Sequence, residues 1–267
     1  MRHAVCGFLI VLQGWGCVAA VSEKSQVRAR LHYDLGVEAL GRDDLRTALQ
    51  ELRLADNDNP YDANTQQALG LNYQAMDQFA DSERHYLRAL GLKKDFAEAY
   101  NNYGTLLLEM GRISEAVPNF QKALDNLLYR TPSLAEGNLG WAYFKLGDLE
   151  LARRHLRRAV ITNPQFCRGY VWLAEVELLR KDPDQVSMNA AKFMKHCAEN
   201  EAVRAVVGDE HVRQIRFIMG QSYALLGKTE KAREEFEACA KTSQIEPMGI
   251  AKQCAERLVA LNDGHAG

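Results

Sequence analysis

A repeat of 34 residues constrains this chain of 267 residues more than any other feature of its sequence. Three columns of small residues recur at that spacing, and each takes a step of 36 to its fourth member. The columns are Gly36, Gly70, Gly104 and Gly140; Ala48, Ser82, Ala116 and Ala152; and Ala55, Ala89, Ala123 and Ala159. A period of this length indicates a stack of small units, because each unit can bury its apolar face only against its neighbours.

Large apolar residues occupy two further positions of the repeat. One directly precedes each glycine, and the other follows each residue of the Ala48 column by four. They are Leu35, Leu69, Tyr103 and Leu139, and Leu52, Tyr86, Phe120 and Leu156. This pattern resembles the tetratricopeptide repeat (TPR), in which each unit consists of two antiparallel helices, A and B. The resemblance implies an all-α superhelix. Each glycine is then expected where helices A and B approach closely, and each large residue of helix B is expected to fill the space between adjacent units.

The register of the repeat divides the chain into six TPR-like helix pairs and a C-terminal capping helix. Units one to four are expected at 29–166, an irregular fifth unit at 167–212 and a sixth unit at 213–248. Proline residues such as Pro132 are expected to close units, because proline cannot continue a helix. The last segment, 249–267, is predicted to be a capping helix and a short tail, which the exposed end of a repeat stack requires.

The first residues form a separate element. Residues 1–16 are typical of a secretory signal peptide, since the apolar run is shorter than the roughly 20 residues that span a bilayer. The pair Gly16-Cys17 resembles the lipobox of bacterial lipoproteins, which predicts lipidation of Cys17 and a tether at 17–28. The residue after Cys17 is Val18, whereas an Asp at that position would resemble an inner-membrane retention signal. The outer membrane is therefore the expected location. Ordinary cleavage after Ala20 is the alternative and would give a soluble periplasmic protein.

The charge balance argues against nucleic-acid binding, and the missing motifs argue against catalysis. The 33 Lys and Arg residues nearly balance the 35 Asp and Glu residues, so no strong field attracts nucleic acid. The sequence has no H-E-x-x-H, C-x-x-C, P-loop or G-x-S-x-G motif, and its seven histidines lack metal-ligand spacing. We therefore expect no catalytic site, no metal and no cofactor. An enzyme would have to assemble its site from residues far apart in sequence.

Four cysteines follow Cys17, and repeat geometry selects one of their three possible pairings. Cys167 opens helix A of the fifth unit and Cys197 lies near the end of its helix B, so antiparallel helices bring the two together. Cys239 ends helix B of the sixth unit, and Cys254 lies on the helix that turns back after it. The predicted disulfides are Cys167–Cys197 and Cys239–Cys254; four free buried thiols are the alternative.

The TPR resemblance also implies a binding groove, lined at the second, fifth, ninth and twelfth places of each helix A. The candidate groove residues are Tyr33, Asn64, Gln67, Leu71, Asn101, Thr105, Leu108, Trp141 and Phe144, with Asn102 beside them. This apolar, amide-rich surface suits an amphipathic helix or extended segment of a partner protein. Asn101 and Asn102 are candidates to pair with the partner's backbone. Trp141 and Phe144 are either its main anchors or simply part of the core of a tight superhelix.

Particular segments extend the resemblance beyond TPRs in general. They are the opening repeat from Ala29 to Gly36, the run Asp56-Asn57-Asp58-Asn59-Pro60, and the stretch from Ala99 to Gly104. With an export signal and six repeats, the chain resembles the type IV pilus biogenesis lipoproteins of the PilF, PilW and Tgl group. The resemblance implies a non-enzymatic pilotin at the periplasmic face of the outer membrane. Such a protein binds secretin subunits and promotes their assembly in pilus-driven twitching or gliding motility. A general periplasmic TPR adaptor in another envelope assembly or export system is the alternative.

Overall fold

The computed structural model describes residues 21–241 and 249–262, and every regular element in those ranges is a helix. The helices are α1 (Glu23–Gly41), α2 (Leu45–Asp58), α3 (Ala63–Ala75), α4 (Phe79–Leu92), α5 (Ala97–Glu109), α6 (Ile113–Asp125), α7 (Pro132–Lys145), α8 (Leu149–Thr162), α9 (Cys167–Leu179), α10 (Pro183–Phe193), a π-helical turn (Met194–Ala198), α11 (Glu201–Leu225), α12 (Thr229–Ala240) and α13 (Ile250–Asn262).

Consecutive helices pair and the pairs stack, which confirms the predicted all-α TPR superhelix. Helix A of the successive units is α1, α3, α5, α7, α9 and the second part of α11, and helix B is α2, α4, α6, α8, α10 and α12. Each pair also contacts the next pair along the chain, and α13 packs against α12 and α11. The core is accordingly a series of clusters shared by neighbouring units, as stacking requires.

The glycine column explains why the two helices of a unit can approach so closely. A Cβ added to Gly104 would lie 2.6 Å from Cε1 of Phe120, and one added to Gly70 would lie 2.7 Å from the ring of Tyr86. Both aromatic residues are fully buried and belong to helix B of the same unit. Tyr86 also faces Tyr103 of the next unit, with ring centroids 6.3 Å apart. The large residue of helix B therefore packs within its unit as well as between units.

Local signals fix where each helix B begins. The turn before it contains a residue with positive φ, such as Gly111 at 74° and Gly147 at 83°. This conformation is tolerated best by glycine. The carboxylate of Asp148 then accepts a hydrogen bond from the backbone N–H of Leu151 at 2.9 Å and caps α8. The chain thus reverses direction at short turns whose residues are specified in the sequence.

The start of the first unit differs from the prediction. Residues 23–28, expected to be part of a tether, form the beginning of α1, whose N-cap is Ser22. Ser25 Oγ donates a hydrogen bond to the backbone oxygen of Asp58 at the end of α2, and Arg28 Nε donates to the Asp58 carboxylate at 3.0 Å. These bonds order the segment, so the expected tether is wrong for residues 23–28. Cys17 and the rest of residues 1–20 lie outside the described residues.

Two other boundaries also move. Pro132 is the first residue of α7 and does not close the third unit, because its fixed φ and missing N–H suit a helix start. In the fifth unit the extra residues form the π-helical turn and the first part of α11. Gly208, with φ 73° and ψ 172°, interrupts α11, and the helix that follows begins before the expected boundary at 213.

The four cysteines of residues 21–241 and 249–262 form two disulfide bonds. Cys167 and Cys197 are joined with their Cα atoms 5.8 Å apart, and Cys239 and Cys254 with theirs 6.0 Å apart. The first bond connects α9 to the π-helical turn, and the second connects α12 to α13. The second bond therefore fixes the capping helix to the last repeat.

Alkylation tests whether these bonds form in the cell. After export, the denatured but unreduced chain is expected to leave these four cysteines unlabelled, and reduction should expose all four, as measured by intact mass. The reason is that only a free thiolate reacts with the reagent. Labelling of all four without a reductant would show free thiols and contradict the pairing.

Candidate protein-binding groove

Three aromatic rings form a column on the A helices of the fourth and fifth units. The ring centroids of Trp141 and Phe144 are 4.8 Å apart, and those of Trp141 and Trp172 are 4.9 Å apart, with nearly parallel planes. All three side chains are half-buried. Lys145 Nζ lies 4.4 Å from the Trp141 ring, a distance at which a cation is attracted to the ring face. The column therefore presents a broad aromatic surface with a cation beside it.

A cavity of about 480 Å³ opens beside this column, between α7, α9, α11 and α13. Its lining residues are Trp141, Val171, Trp172, Glu175, Leu178, Leu179, Gln214, Phe217, Ile218, Gln221, Ile250 and Gln253. A second cavity of similar volume shares Leu178, Leu179 and Gln221 with the first and continues towards α12 and α13. We call the two together the C-terminal cleft. Its floor is apolar and aromatic, and three glutamine side chains supply amide groups at its walls.

One carboxyl group faces the C-terminal cleft. Burial raises the pKa of Glu175 above its usual value, and the nearby charge of Lys145 acts in the opposite direction. Partial burial thus disfavours the charged form of this carboxyl, in keeping with an environment of low polarity. Arg168 lies over the Trp172 ring at 5.7 Å, so a second cation borders the aromatic column. A segment that fills the cleft meets an apolar surface with charged groups at its edge.

The candidate groove residues of the first two units lie on the A helices α1 and α3. Tyr33 is half-buried and packs against the cluster around Leu52 and Leu69. Gln67 is half-buried, whereas Asn64 and Leu71 are exposed. The side chains of Asn64, Gln67 and Leu71 thus retain surface that a partner could contact.

Those of the third unit serve mainly to join helices. Asn101 is only 6 % exposed, and its Oδ1 accepts a hydrogen bond from Asn138 Nδ2 of α7 at 3.1 Å. Its own Nδ2 donates to Asn102 Oδ1, while Thr105 Oγ1 donates to its backbone oxygen. Leu108 packs on the core between the second and fourth units. Asn101 is therefore buried and already bonded within the protein, so its side chain is not free to pair with a partner's backbone.

Trp141 and Phe144 combine the two roles that the sequence left open. Phe144 packs against the core cluster of units four to six, and Trp141 lines the C-terminal cleft. Both keep part of their surface in contact with solvent. These rings thus form part of the core and also contribute an accessible surface.

Sequence reasoning missed most of the C-terminal cleft because it stopped at the fourth unit. Trp141 and Phe144 hold the ninth and twelfth places of helix A in the fourth unit. In the fifth unit, the fifth, ninth and twelfth places are Val171, Glu175 and Leu178. In the sixth unit they give Gln214, Phe217 and Gln221, all of which line the cleft. The signal was therefore present in the repeat register. Trp172 is one place out of that register and was visible only in the structure.

Comparison with known proteins agrees with this architecture. Three family models described as tetratricopeptide repeat match residues 95–160, 138–185 and 214–244. The chain therefore contains tetratricopeptide repeats. The first two matched ranges contain the aromatic column, and the third lies within the sixth unit. TPR helices therefore form most of the cleft, and α13 lines the rest.

Relatives of this TPR protein include a pilus component. Over 191 residues it is 27 % identical to, and homologous with, the type IV pilus assembly protein PilF of Pseudomonas aeruginosa, covering 69 % of this chain and 75 % of PilF. The solved structure of Pseudomonas aeruginosa PilF aligns with a TM-score of 0.74 at 17 % identity, over 88 % of this chain and 99 % of that one. PilW, a type IV pilus biogenesis factor, aligns with a TM-score of 0.73 at 22 % identity, over 85 % and 98 %. At these identities the structural likeness concerns the fold.

Within residues 21–241 and 249–262, no helix is long and apolar enough to cross a membrane. Over the same ranges, no group of three or more His, Cys, Asp or Glu side chains is arranged to hold a metal ion.

Proposed function

We propose that this TPR protein is a lipid-anchored pilotin that binds secretin subunits at the periplasmic face of the outer membrane. Its homology to PilF supports a role in type IV pilus assembly. The TPR fold supports binding to another protein, because stacked helix pairs create extended surfaces of this kind. The aromatic column of Trp141, Phe144 and Trp172 is the observation that carries the proposal, since half-buried aromatic residues dominate the energetics of many protein interfaces.

The C-terminal cleft matches the chemistry of a peptide segment. Its apolar floor can accept one face of an amphipathic helix, and the side chains of Gln214, Gln221 and Gln253 can bond to the polar edge of the same segment. The rings of Trp141 and Phe144 stand at one end of the cleft. A secretin subunit held here keeps an apolar segment covered until it joins the multimer.

Attachment through Cys17 places this binding surface where secretin channels form. A bacterial lipoprotein anchor carries several acyl chains, which hold a protein firmly, whereas a single chain binds reversibly. The protein acts by binding and positioning its partner, with no catalytic step. A soluble periplasmic form and a general TPR adaptor are the alternatives, and the experiment below separates the adaptor from the pilotin.

The double change Trp141→Ala with Phe144→Ala tests the cleft as the secretin-binding surface. Truncation of aromatic anchors typically costs about 2 kcal/mol or more, which corresponds to at least ~30-fold weaker binding. We expect fewer secretin multimers and fewer surface pili, measured by gel separation of envelope extracts and by electron microscopy. Affinity for the purified secretin subunit should fall by the same factor.

The matched control is Leu54→Ala with Leu87→Ala, which removes two exposed leucines from the B helices α2 and α4. This control should leave multimers and pili at the parent level. A circular dichroism melt of both variants establishes that each is folded. A folded Trp141, Phe144 variant with normal multimers would exclude these rings as the binding surface. If its main partner in envelope extracts is not a secretin, the adaptor function replaces the pilotin.

A further inference from the structure

One edge of the superhelix carries a row of exposed apolar side chains. Because A and B are antiparallel, every helix A begins and every helix B ends at this edge, which we call the B–A edge. The hydrogen bond from Ser25 Oγ to the Asp58 backbone oxygen shows this juxtaposition in the first unit. Exposed apolar residues occur at the B–A edge in each of the first four units: Val27, Tyr61, Leu92, Leu127, Leu128 and Ile161.

The loop between α6 and α7 is the most prominent part of this row. Leu127 is 97 % exposed and Leu128 is 88 % exposed, although they are adjacent. The loop belongs to the unit in which the repeat is 36 residues long, two more than in the units before it. Two neighbouring leucines in water leave a large apolar surface unburied, which favours contact with another apolar phase.

This loop is held in an outward conformation by a hydrogen bond to the preceding turn, a hydrogen bond within the loop and the burial of its next residue. Asn126 Nδ2 donates to the backbone oxygen of Asp95 at 2.8 Å, and Asn126 Oδ1 accepts from the backbone N–H of Leu128 at 2.9 Å. The next residue, Tyr129, is buried against Ala97, Ala123 and Ala135. The two leucines are therefore presented to the outside by an anchored loop.

Charged groups around the loop suit the surface of a bilayer. The basic residues Lys93, Lys94, Lys122 and Arg130 surround it together with the acidic residues Asp95, Glu98 and Asp125. Long basic side chains can keep their charge among lipid headgroups while neighbouring apolar residues enter the acyl region. A small excess of positive charge adds attraction to anionic lipids.

We infer that the B–A edge lies on a lipid bilayer, with Leu127 and Leu128 inserted below the headgroups. The start of α1 at Glu23 belongs to this same edge, and five residues separate it from Cys17. That distance is at most about 20 Å of extended chain, so an acylated Cys17 holds this edge close to the membrane. The inference rests in this respect on the proposed lipid anchor. Contact through the B–A edge would fix the orientation of the superhelix on the membrane, which attachment at the single point of Cys17 would not do.

Tryptophan placed in the loop tests the inference. The full-length chain, purified from envelopes as parent, Leu128→Trp or Leu146→Trp, is bound to vesicles of phosphatidylethanolamine and phosphatidylglycerol containing brominated acyl chains. Leu146 is the matched control, because it is an exposed leucine at the opposite edge, in the turn after α7. The fluorescence of the native tryptophans is measured on the parent and subtracted. The added fluorescence of Leu128→Trp should be quenched at least about twofold more than that of Leu146→Trp, because bromine quenches only by contact.

The mass of each purified chain reports acylation separately. Quenching confined to Leu128→Trp supports the inference whether or not the chain is acylated, so failure of the anchor and failure of the loop are distinguishable. Equal quenching of the two variants on membrane-bound protein overturns it. A protein partner is the competing occupant: loss of a co-purifying protein in Leu127→Ser with Leu128→Ser, without selective quenching, assigns the loop to that partner and overturns the bilayer contact.

Discussion

Replacing Gly104 with leucine is expected to lower the free energy of unfolding by about 3 kcal/mol, the upper end of the range for overpacked cores. The added Cβ alone would lie 2.6 Å from Cε1 of Phe120, which is fully buried and has little room to move. The melting temperature should fall by roughly 6–12 °C for a chain of this size. Thermal unfolding followed by circular dichroism measures the change.

Gly91→Leu is the matched control for this substitution. Gly91 lies in α4, is exposed, and has no neighbour within 4 Å of an added Cβ. The same side chain should therefore be tolerated there and can raise the stability by up to about 1 kcal/mol, since leucine is a better helix former than glycine. Equal melting temperatures for the Gly104 variant and the parent would contradict the close approach of α5 and α6 and the repeat register derived from it.

Cys17→Ser is expected to move the protein from the outer-membrane fraction to the periplasm. The thioether-linked lipid cannot form on serine, so the mature chain loses the anchor that holds it to the membrane. Fractionation of envelopes measures the redistribution, and the mass of the mature chain shows loss of the acyl groups.

Cys6→Ser is the control for this change, because it makes the same replacement within the signal segment but away from the lipobox. The Cys6 variant should fractionate like the parent. Its mature chain should have the parent's mass, because Cys6 lies in the segment that is removed on export. A Cys17 variant that fractionates and migrates like the parent would show that this cysteine carries no lipid. The protein would then be the soluble periplasmic alternative.

A membrane-bound B–A edge and a secretin-binding cleft would act together. The B–A edge and the aromatic column are contributed by different parts of the same stack, the loop by α6 and α7 and the column by α7 and α9. Contact at the B–A edge would set the orientation of the A helices relative to the membrane. A bound secretin segment would then be presented at a defined height and angle, which favours its assembly with other subunits.

The sequence by itself determined the fold class and the positions of the repeats. A glycine is required wherever a large side chain of helix B packs against helix A, as Tyr86 does against Gly70. The same glycine therefore recurs in the sequence with every helix pair. The turn glycines and capping aspartates act over a few residues, so the starts of most B helices could also be predicted. These features depend on local conformation and on contacts repeated in every unit. Because they repeat, they can be predicted from the sequence alone.

Only the tertiary structure decided which surfaces are free and which are occupied. Asn101 and Gln67 hold equivalent places in their units, yet Asn101 is buried by a bond to Asn138 and Gln67 keeps partial exposure. The start of α1 depended on Asp58, which is distant in sequence, and the cleft formed only where α13 met units four to six. Burial and cavity shape arise from side chains brought together from several helices. They follow from packing across units, which a repeat pattern read along one chain does not contain.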